Sequence, residues 1–186
     1  MLGSEKIAAG KVTEKVNRLM EARPLNQEIV YILVGSGKSY ADVADFMRLA
    51  RRAQVSDFGF LVTEEAERDV ATAIGVKVAS AAEENRKSSG SKPNPLALIV
   101  ELGADRRVSL NSKAMLLENL GDILSRAFSE RKQSGVFRAG TDQVETAVFI
   151  KAAPEAKFSE VVKVIRTVKN AGAYPIGLDI DWPAKR

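Results

Sequence analysis

The chain says one stretch of sequence twice. Residues 30–62, VYILVGSGKSYADVADFMRLARRAQVSDFGFLV, align without a gap on residues 148–180, VFIKAAPEAKFSEVVKVIRTVKNAGAYPIGLDI. Val30 meets Val148, Tyr40 meets Phe158, Val43 meets Val161 and Gly59 meets Gly177, at a constant offset (148 − 30 = 118 and 177 − 59 = 118). Self-similarity at a fixed offset restricts the fold more than any composition figure, because both copies must find equivalent surroundings. Each copy reads as strand, polar loop, amphipathic helix, short turn and strand. The flanking runs are apolar and β-branched, whereas the middle carries apolar residues at helical spacing.

Read in order, residues 12–23 put Val12, Val16, Leu19 and Met20 on one helical face, and Pro24 ends that helix. A strand follows over 28–34, then a helix from about Tyr40 to Ala53 with Val43, Phe46, Met47 and Ala50 inward, then a strand over 57–62. The second copy has a longer lead. LALIVEL (96–102) reads as a strand, GADR as a turn, RVSLNS (107–112) as a second strand, and roughly 116–131 as a helix carrying Leu117, Leu120, Ile123, Leu124 and Phe128.

That helix matches the first one at a different offset, pairing Arg126 with Arg18 (126 − 18 = 108). The change from 108 to 118 places about ten extra residues in KQSGVFRAGTDQVE, against PLNQE in the first copy, and an insertion of this kind belongs in a surface loop. At the first offset the partner of LALIVEL falls before Met1. The first copy therefore lacks a leading strand, and three explanations stay open: a truncated chain, a degenerate copy, or completion by a strand donated from elsewhere.

Between the copies the composition shifts. TEEAERDVATAI suggests a short helix ending near Gly75, and AAEENRKSSGSKPNP has the polar, Gly-, Ser- and Pro-containing composition of a linker. The division expected is 1–64 for a first unit without its leading strand, 65–93 for a connecting helix and polar linker, and 94–186 for a second, complete unit. Strands separated by helices predict an α/β (α+β) class: two repeated units, each a small open sheet with two helices packed on one face.

The 186 residues contain no Cys and no His. Disulfides and thiolate metal sites are excluded, and so is the commonest general base. The net charge of +4 is too small, and its signs too mixed, to argue for nucleic acid. No apolar run approaches membrane-spanning length, and MLGSEKIAAGKV has no signal-peptide core. GSGKS (35–39) sits between strand and helix like a phosphate loop. That motif needs a Gly with four residues intervening before the Gly of its GK pair, and the position holds Ile32; the second copy's loop, APEAK, has no Gly. A plain loop and helix start is the better reading. Ser39 with Asp42, and Ser159 with Glu160, read as helix capping and dipole complements. No catalytic, cofactor-binding or metal-binding residue is expected, and an enzyme is not the expectation; a small hydrolase or nucleotide-binding enzyme is the weakest alternative.

Arg48, Arg51 and Arg52 in one copy, and Arg166 and Lys169 in the other, make the same helix face basic. Such a row is ordinarily a solvated face, and otherwise a docking surface for an acidic partner or a polyanionic wall polymer. Trp182, near the C-terminus, is either an interface anchor or part of a packed tail. The candidate partner-binding set is Arg48, Arg51, Arg166, Lys169, Leu178 and Trp182. Gly59 and Gly177 read as backbone positions that a neighbour approaches closely.

The order LALIVEL, RVSLNS, helix and repeat resembles the soluble domain of the ExbD/TolR biopolymer-transport family. The residues that carry the resemblance are Val108, Leu110 and Asn111, the strand Val148 to Ile150, the aromatic Phe158 that opens a helix, Ala171 and Gly172, and the last strand Ile176 to Leu178. It covers about 94–181, and more weakly 2–62 with Tyr40 as the aromatic. The resemblance implies a non-enzymatic periplasmic binding module of a proton-motive-force-coupled transport protein, serving outer-membrane transport or envelope integrity. Implied partners are an ExbB/TolQ-like proton-channel protein and an energised envelope protein or the cell wall, with no nucleic acid and no cofactor. The repeat implies a pseudo-dimer within the chain, with a homodimer as a further option. Family members carry an N-terminal membrane helix with a proton-coupling Asp, which this sequence lacks, so no motor residue carries over. Localisation is then the periplasmic side of the inner membrane if an anchoring helix lies upstream, and otherwise soluble. The alternative is a stand-alone soluble scaffold or regulatory protein reusing the fold.

Overall fold

A computed structural model of the chain describes residues 11–21, 29–35, 37–52, 55, 57–63, 74–77, 96 and 98–180. The elements are α1 (Val12–Glu21), β1 (Ile29–Gly35), α2 (Tyr40–Arg52), β2 (Asp57–Thr63), β3 (Ile74–Lys77), β4 (Leu98–Leu102) and β5 (Val108–Leu110). They continue with β6 (Lys113–Met115), α3 (Leu117–Gln133), β7 (Val148–Ala152), α4 (Phe158–Asn170) and β8 (Ile176–Asp179). The mixed α+β class read from the sequence holds.

The strands form one eight-stranded sheet in the order β1-β2-β3-β8-β7-β4-β5-β6, to which both repeated segments contribute. The parallel pair β1·β2 and the parallel pair β7·β8 have the same register: Val30 opposes Phe58 and Val148 opposes Ile176, a separation of 28 in both (58 − 30 and 176 − 148). The bounds of α2 and α4 also differ by 118 at each end (158 − 40 and 170 − 52). A parallel pair needs a crossover, and in each segment the helix supplies it.

β3 corrects only the end expected near Gly75 for the short helix. Ile74–Lys77 is instead a strand, antiparallel to β2 (Gly59 opposite Gly75) and parallel to β8 (Lys77 opposite Gly177). Ile74 and Val76 are β-branched and alternate with Gly75, a pattern that suits a central strand once neighbours are present on both sides. The remainder of the expected helix and the polar stretch to residue 95 lie outside the described residues, as does Trp182.

RVSLNS is likewise shorter as a strand than its composition suggests. Asn111 and Ser112 both have positive φ (47° and 67°) and make a two-residue hairpin loop between Leu110 and Lys113. Positive φ at both loop positions is the geometry whose twist matches a hairpin, and Asn accepts it more readily than most residues. Asn111 also fixes β4: its Oδ1 accepts from the Ile99 N–H at 2.8 Å while its own N–H donates to the Ile99 carbonyl at 2.8 Å.

The core lies between the sheet and the helices. Leu98, Val100, Leu102, Val148, Ile150, Ile176, Leu178, Phe58 and Phe60 fill it from the strands; Val16, Val43, Met47, Leu120, Leu124, Phe128, Val161, Val164, Ile165 and Val168 fill it from the helices. Val16 and Leu124, equivalent at the offset of 108, are both buried. The other face of the sheet carries Tyr31, Leu33, Ile99, Glu101 and Lys151 in exposed or half-buried positions. Burying this many large apolar side chains, at about 1.5–3 kcal/mol each, is the main favourable term for the fold.

Candidate interaction site

The GSGK loop does structural work between the two segments. Ser39 and Lys157 form an antiparallel bridge, in which the Tyr40 N–H donates to the Ala156 carbonyl (2.8 Å) and the Phe158 N–H donates to the Lys38 carbonyl (2.9 Å). The bond 40→156 becomes 158→38 when each residue is exchanged for its equivalent at an offset of 118. The contact is therefore reciprocal, as at a twofold interface. It also satisfies first-turn N–H groups of α2 and α4, which a helix leaves without internal partners. Gly35 and Lys38 serve a turn here (Lys38 N–H to Gly35 carbonyl, 3.1 Å).

The two helix starts differ in detail. At α2 the Ser39 N–H donates to Asp42 Oδ2 (3.1 Å) and the Asp42 N–H donates to Ser39 Oγ (3.2 Å), a reciprocal cap. The Ser39 N–H, with help from the Ser39 hydroxyl and Lys38, holds the Asp42 carboxyl below the usual carboxylate range. At α4 the capping expected of Ser159 and Glu160 is not present. Lys157 occupies the cap position without a side-chain hydrogen bond, and Glu160 instead pairs with Lys163 (3.2 Å).

On the open face, each segment lays an aromatic ring over a glycine of the next strand. A Cβ built on Gly59 would stand 2.5 Å from the Tyr31 ring, and one on Gly177 would stand 2.7 Å from the Phe149 ring. Tyr31 and Phe149 are themselves equivalent at the offset of 118. The absence of a side chain at both glycines leaves room for the ring as it lies.

Of the five candidate partner-binding residues that are described (Trp182 lies outside them), none lines either of the two concave features below. Arg166 and Lys169 are exposed on α4. Arg48 and Arg51 are half-buried at the equivalent positions of α2, and Arg48 is ion-paired with Asp45. Leu178 requires correction: it has no exposed surface and packs in the core from β8, so its side chain is not available to a partner.

Two concave features are lined by described residues. A depression of about 150 Å³ at the carboxyl end of β4 is lined by Leu102, Gly103, Arg106, Glu155, Lys157 and Glu160. Pockets that enclose small organic ligands run to roughly 300–1,000 Å³, so this one suits little beyond water or an ion. A wider, open groove of about 340 Å³ lies among Ser125, Phe128, Lys132, Val144, Thr146 and Gly172. Among the described residues no group of His, Cys, Asp and Glu could hold a metal ion, and no helix is long and apolar enough to cross a membrane.

The prominent surfaces are instead the sheet edges. β6 closes one edge with three residues, of which Lys113 and Ala114 are exposed. β1 closes the other with seven residues, IVYILVG, of which Tyr31 and Leu33 are 55% and 64% exposed. A long apolar edge is unusual, because unpaired N–H and C=O groups beside apolar side chains invite another strand. The outer edge of β1 is not among the candidate residues expected from the sequence. The signal that could have found it is the apolar, β-branched run IVYILVG itself.

Two comparisons bear on the chain. Residues 66–181 match the family model described as Biopolymer transport protein ExbD/TolR. No curated protein matches it. The matched region begins inside the segment taken as a connector and includes β3 through β8.

Proposed function

The chain belongs to the ExbD/TolR family of biopolymer transport proteins, and from that premise we propose that it is a non-enzymatic binding module of a proton-motive-force-coupled transport system. The observation that carries the reading is the family match over residues 66–181. In this proposal the module works on the periplasmic side of the inner membrane with an ExbB/TolQ-like channel protein. It passes the motor's work to an envelope protein or the cell wall.

Residues 30–62 lie outside the matched region. We propose them as part of a second, incomplete ExbD/TolR-like unit, so that the chain is a covalent pseudo-dimer. The constant offset of the helix bounds, the shared strand register and the reciprocal bonds between Lys38–Tyr40 and Ala156–Phe158 support this. The basic positions Arg48, Arg51, Arg166 and Lys169 are proposed as contacts for an acidic partner or wall polymer.

Cross-linking of the full-length protein in native membranes tests the reading. The expected result is a specific adduct with an ExbB/TolQ-like channel protein. A protein that fractionates away from membranes and cross-links to no channel component would instead be a stand-alone scaffold reusing the fold.

A further inference from the structure

The two repeated segments can be compared position by position, and they differ in burial along one strand. Val148 and Ile150 on β7 have no exposed surface, yet their equivalents Val30 and Ile32 on β1 are only half-buried. Phe149 is 9% exposed and Tyr31 is 55% exposed, although each ring rests on the glycine of the neighbouring strand in the same way. Side-chain chemistry does not explain the difference, because these residues are apolar or aromatic in both copies. The neighbour does. β4 runs parallel to β7 along its whole length, setting Leu98 beside Val148, Ile99 beside Phe149, Val100 beside Ile150 and Leu102 beside Ala152. Among the described residues nothing pairs with the corresponding edge of β1. The helix that goes with such a strand is nevertheless in place: α1 lies against α2 as α3 lies against α4, and the Thr13 hydroxyl donates to the Leu49 carbonyl (3.2 Å).

We propose that the outer edge of β1 is a strand-acceptor site for an extended segment of a partner protein, running parallel to β1 with apolar residues at alternate positions. β4 on β7 supplies the register. The partner's residues beside Val30, Ile32 and Val34 face the helices and are apolar, as Leu98, Val100 and Leu102 are. The residue beside Tyr31 is a branched apolar one, as Ile99 is beside Phe149. Beside Leu33 the partner carries an apolar residue where β4 carries Glu101, because Leu33 stands where β7 has Lys151. Main-chain hydrogen bonds along the edge supply affinity and the alternate side chains supply selectivity. A second copy of the chain fits less well, since two β1 edges related by a twofold axis would pair antiparallel, opposite to β4 on β7. This inference rests on the reading of the chain as a binding module.

The probe is a labelled synthetic peptide with the sequence of residues 96–102, LALIVEL, altered by Glu101→Leu so that an apolar residue falls beside Leu33, and carrying terminal lysines for solubility, titrated into the whole chain. Saturable binding is expected, with hydrogen-exchange protection gained by the amides of Ile29–Gly35. Leu33→Lys, on an exposed position that leaves the fold intact by circular dichroism, is expected to weaken binding about tenfold or more, as a charge does on a pairing edge. Tyr31→Ala is expected to weaken it in the same direction, and a peptide with proline at its centre is expected not to bind. Absence of saturable binding, protection confined to β6, or dimerisation through β1 in sedimentation overturns the proposal. A lack of peptide binding beside an intact membrane cross-link removes the β1 site alone. Peptide binding without the cross-link upholds the site and removes the transport reading.

Discussion

Tyr40 and Phe158 stack with ring planes 8° apart and centroids 6.4 Å apart, and neither has any exposed surface. They are equivalent residues of the two repeated segments, and each opens the helix of its own segment. Phe60 completes the cluster by tilting onto Phe158 at 5.0 Å. The main difference between the two rings is a hydroxyl, and Tyr40 uses it to donate to the Asp179 carbonyl at 2.9 Å. The helix of the first segment is thereby tied to the last strand of the second.

Tyr40→Phe is expected to lower unfolding free energy by about 1 kcal/mol in urea denaturation, the usual net effect of removing one intramolecular hydrogen bond. Burial, with the nearby Asp179 charge adding to it, pushes the Tyr40 phenol well above its ordinary pKa of 10.0. The folded state therefore holds this proton more tightly than the unfolded state. The stabilisation is whole below pH 10.0 and declines as pH rises beyond it. Wild type should lose stability in this alkaline range more steeply than Tyr40→Phe; parallel curves would show that the phenol is not protected.

Gly59→Ala and Gly177→Ala meet equivalent rings at nearly equal distances, yet their effects should differ. The Tyr31 ring is largely exposed and can swing aside, whereas the Phe149 ring is 9% exposed and held in place. Gly177→Ala is expected to cost about 2–3 kcal/mol, in the upper range for overpacking, and Gly59→Ala about 1 kcal/mol or less. Thermal denaturation of the two variants side by side measures the difference, and equal losses would contradict the explanation from ring mobility.

Asp42 gives an acid-side signature. Its carboxyl is held below its ordinary value of 3.8, chiefly by the Ser39 N–H. The stabilisation from it is complete above that value and disappears as pH falls through the lower folded value. In an NMR titration, Ser39→Ala should move the Asp42 pKa part of the way back up, because the backbone donor remains. Asp42→Asn should remove its share of the acid-side loss of stability.

The amides of Tyr40 and Phe158 belong to one bridge and should exchange with solvent together. Protection factors within about tenfold of each other are expected, since local opening releases both bonds at once. Widely different values would mean that the two segments open separately.

Much of the fold was legible because both segments carry their periodicity in full. The helix bounds of α2 and α4, the strands β1, β2, β7 and β8, and the core positions Val43, Met47 and Val161 follow from apolar spacing alone. β3 was not legible: the alternation of Ile74 and Val76 with Gly75 and Lys77 is too short to stand out directly after a stretch that suggests a helix, and it forms a strand where β2 and β8 stand on either side. β6 was hidden by the Asn111–Ser112 turn, whose positive φ values follow from pairing that a local pattern does not reveal. At the candidate site, the repeat in the sequence led to the expectation of a first unit without a counterpart to β4. It did not show the contrast in exposure between Tyr31 and Phe149, because burial depends on neighbours that come from elsewhere in the chain. Leu178 was misjudged for the same reason: its place near the C-terminus says nothing of its place in the middle of the sheet.

The strand order has a consequence for valency. An assembly of two identical subunits offers every surface twice, and a ligand can occupy one copy, both, or bridge them. Here one polypeptide supplies both segments, and its sheet ends differently on the two sides, in β1 and in β6. Among the described residues, each molecule thus presents the long edge once. Whatever engages it does so at one to one, with a fixed direction relative to everything else the chain contacts.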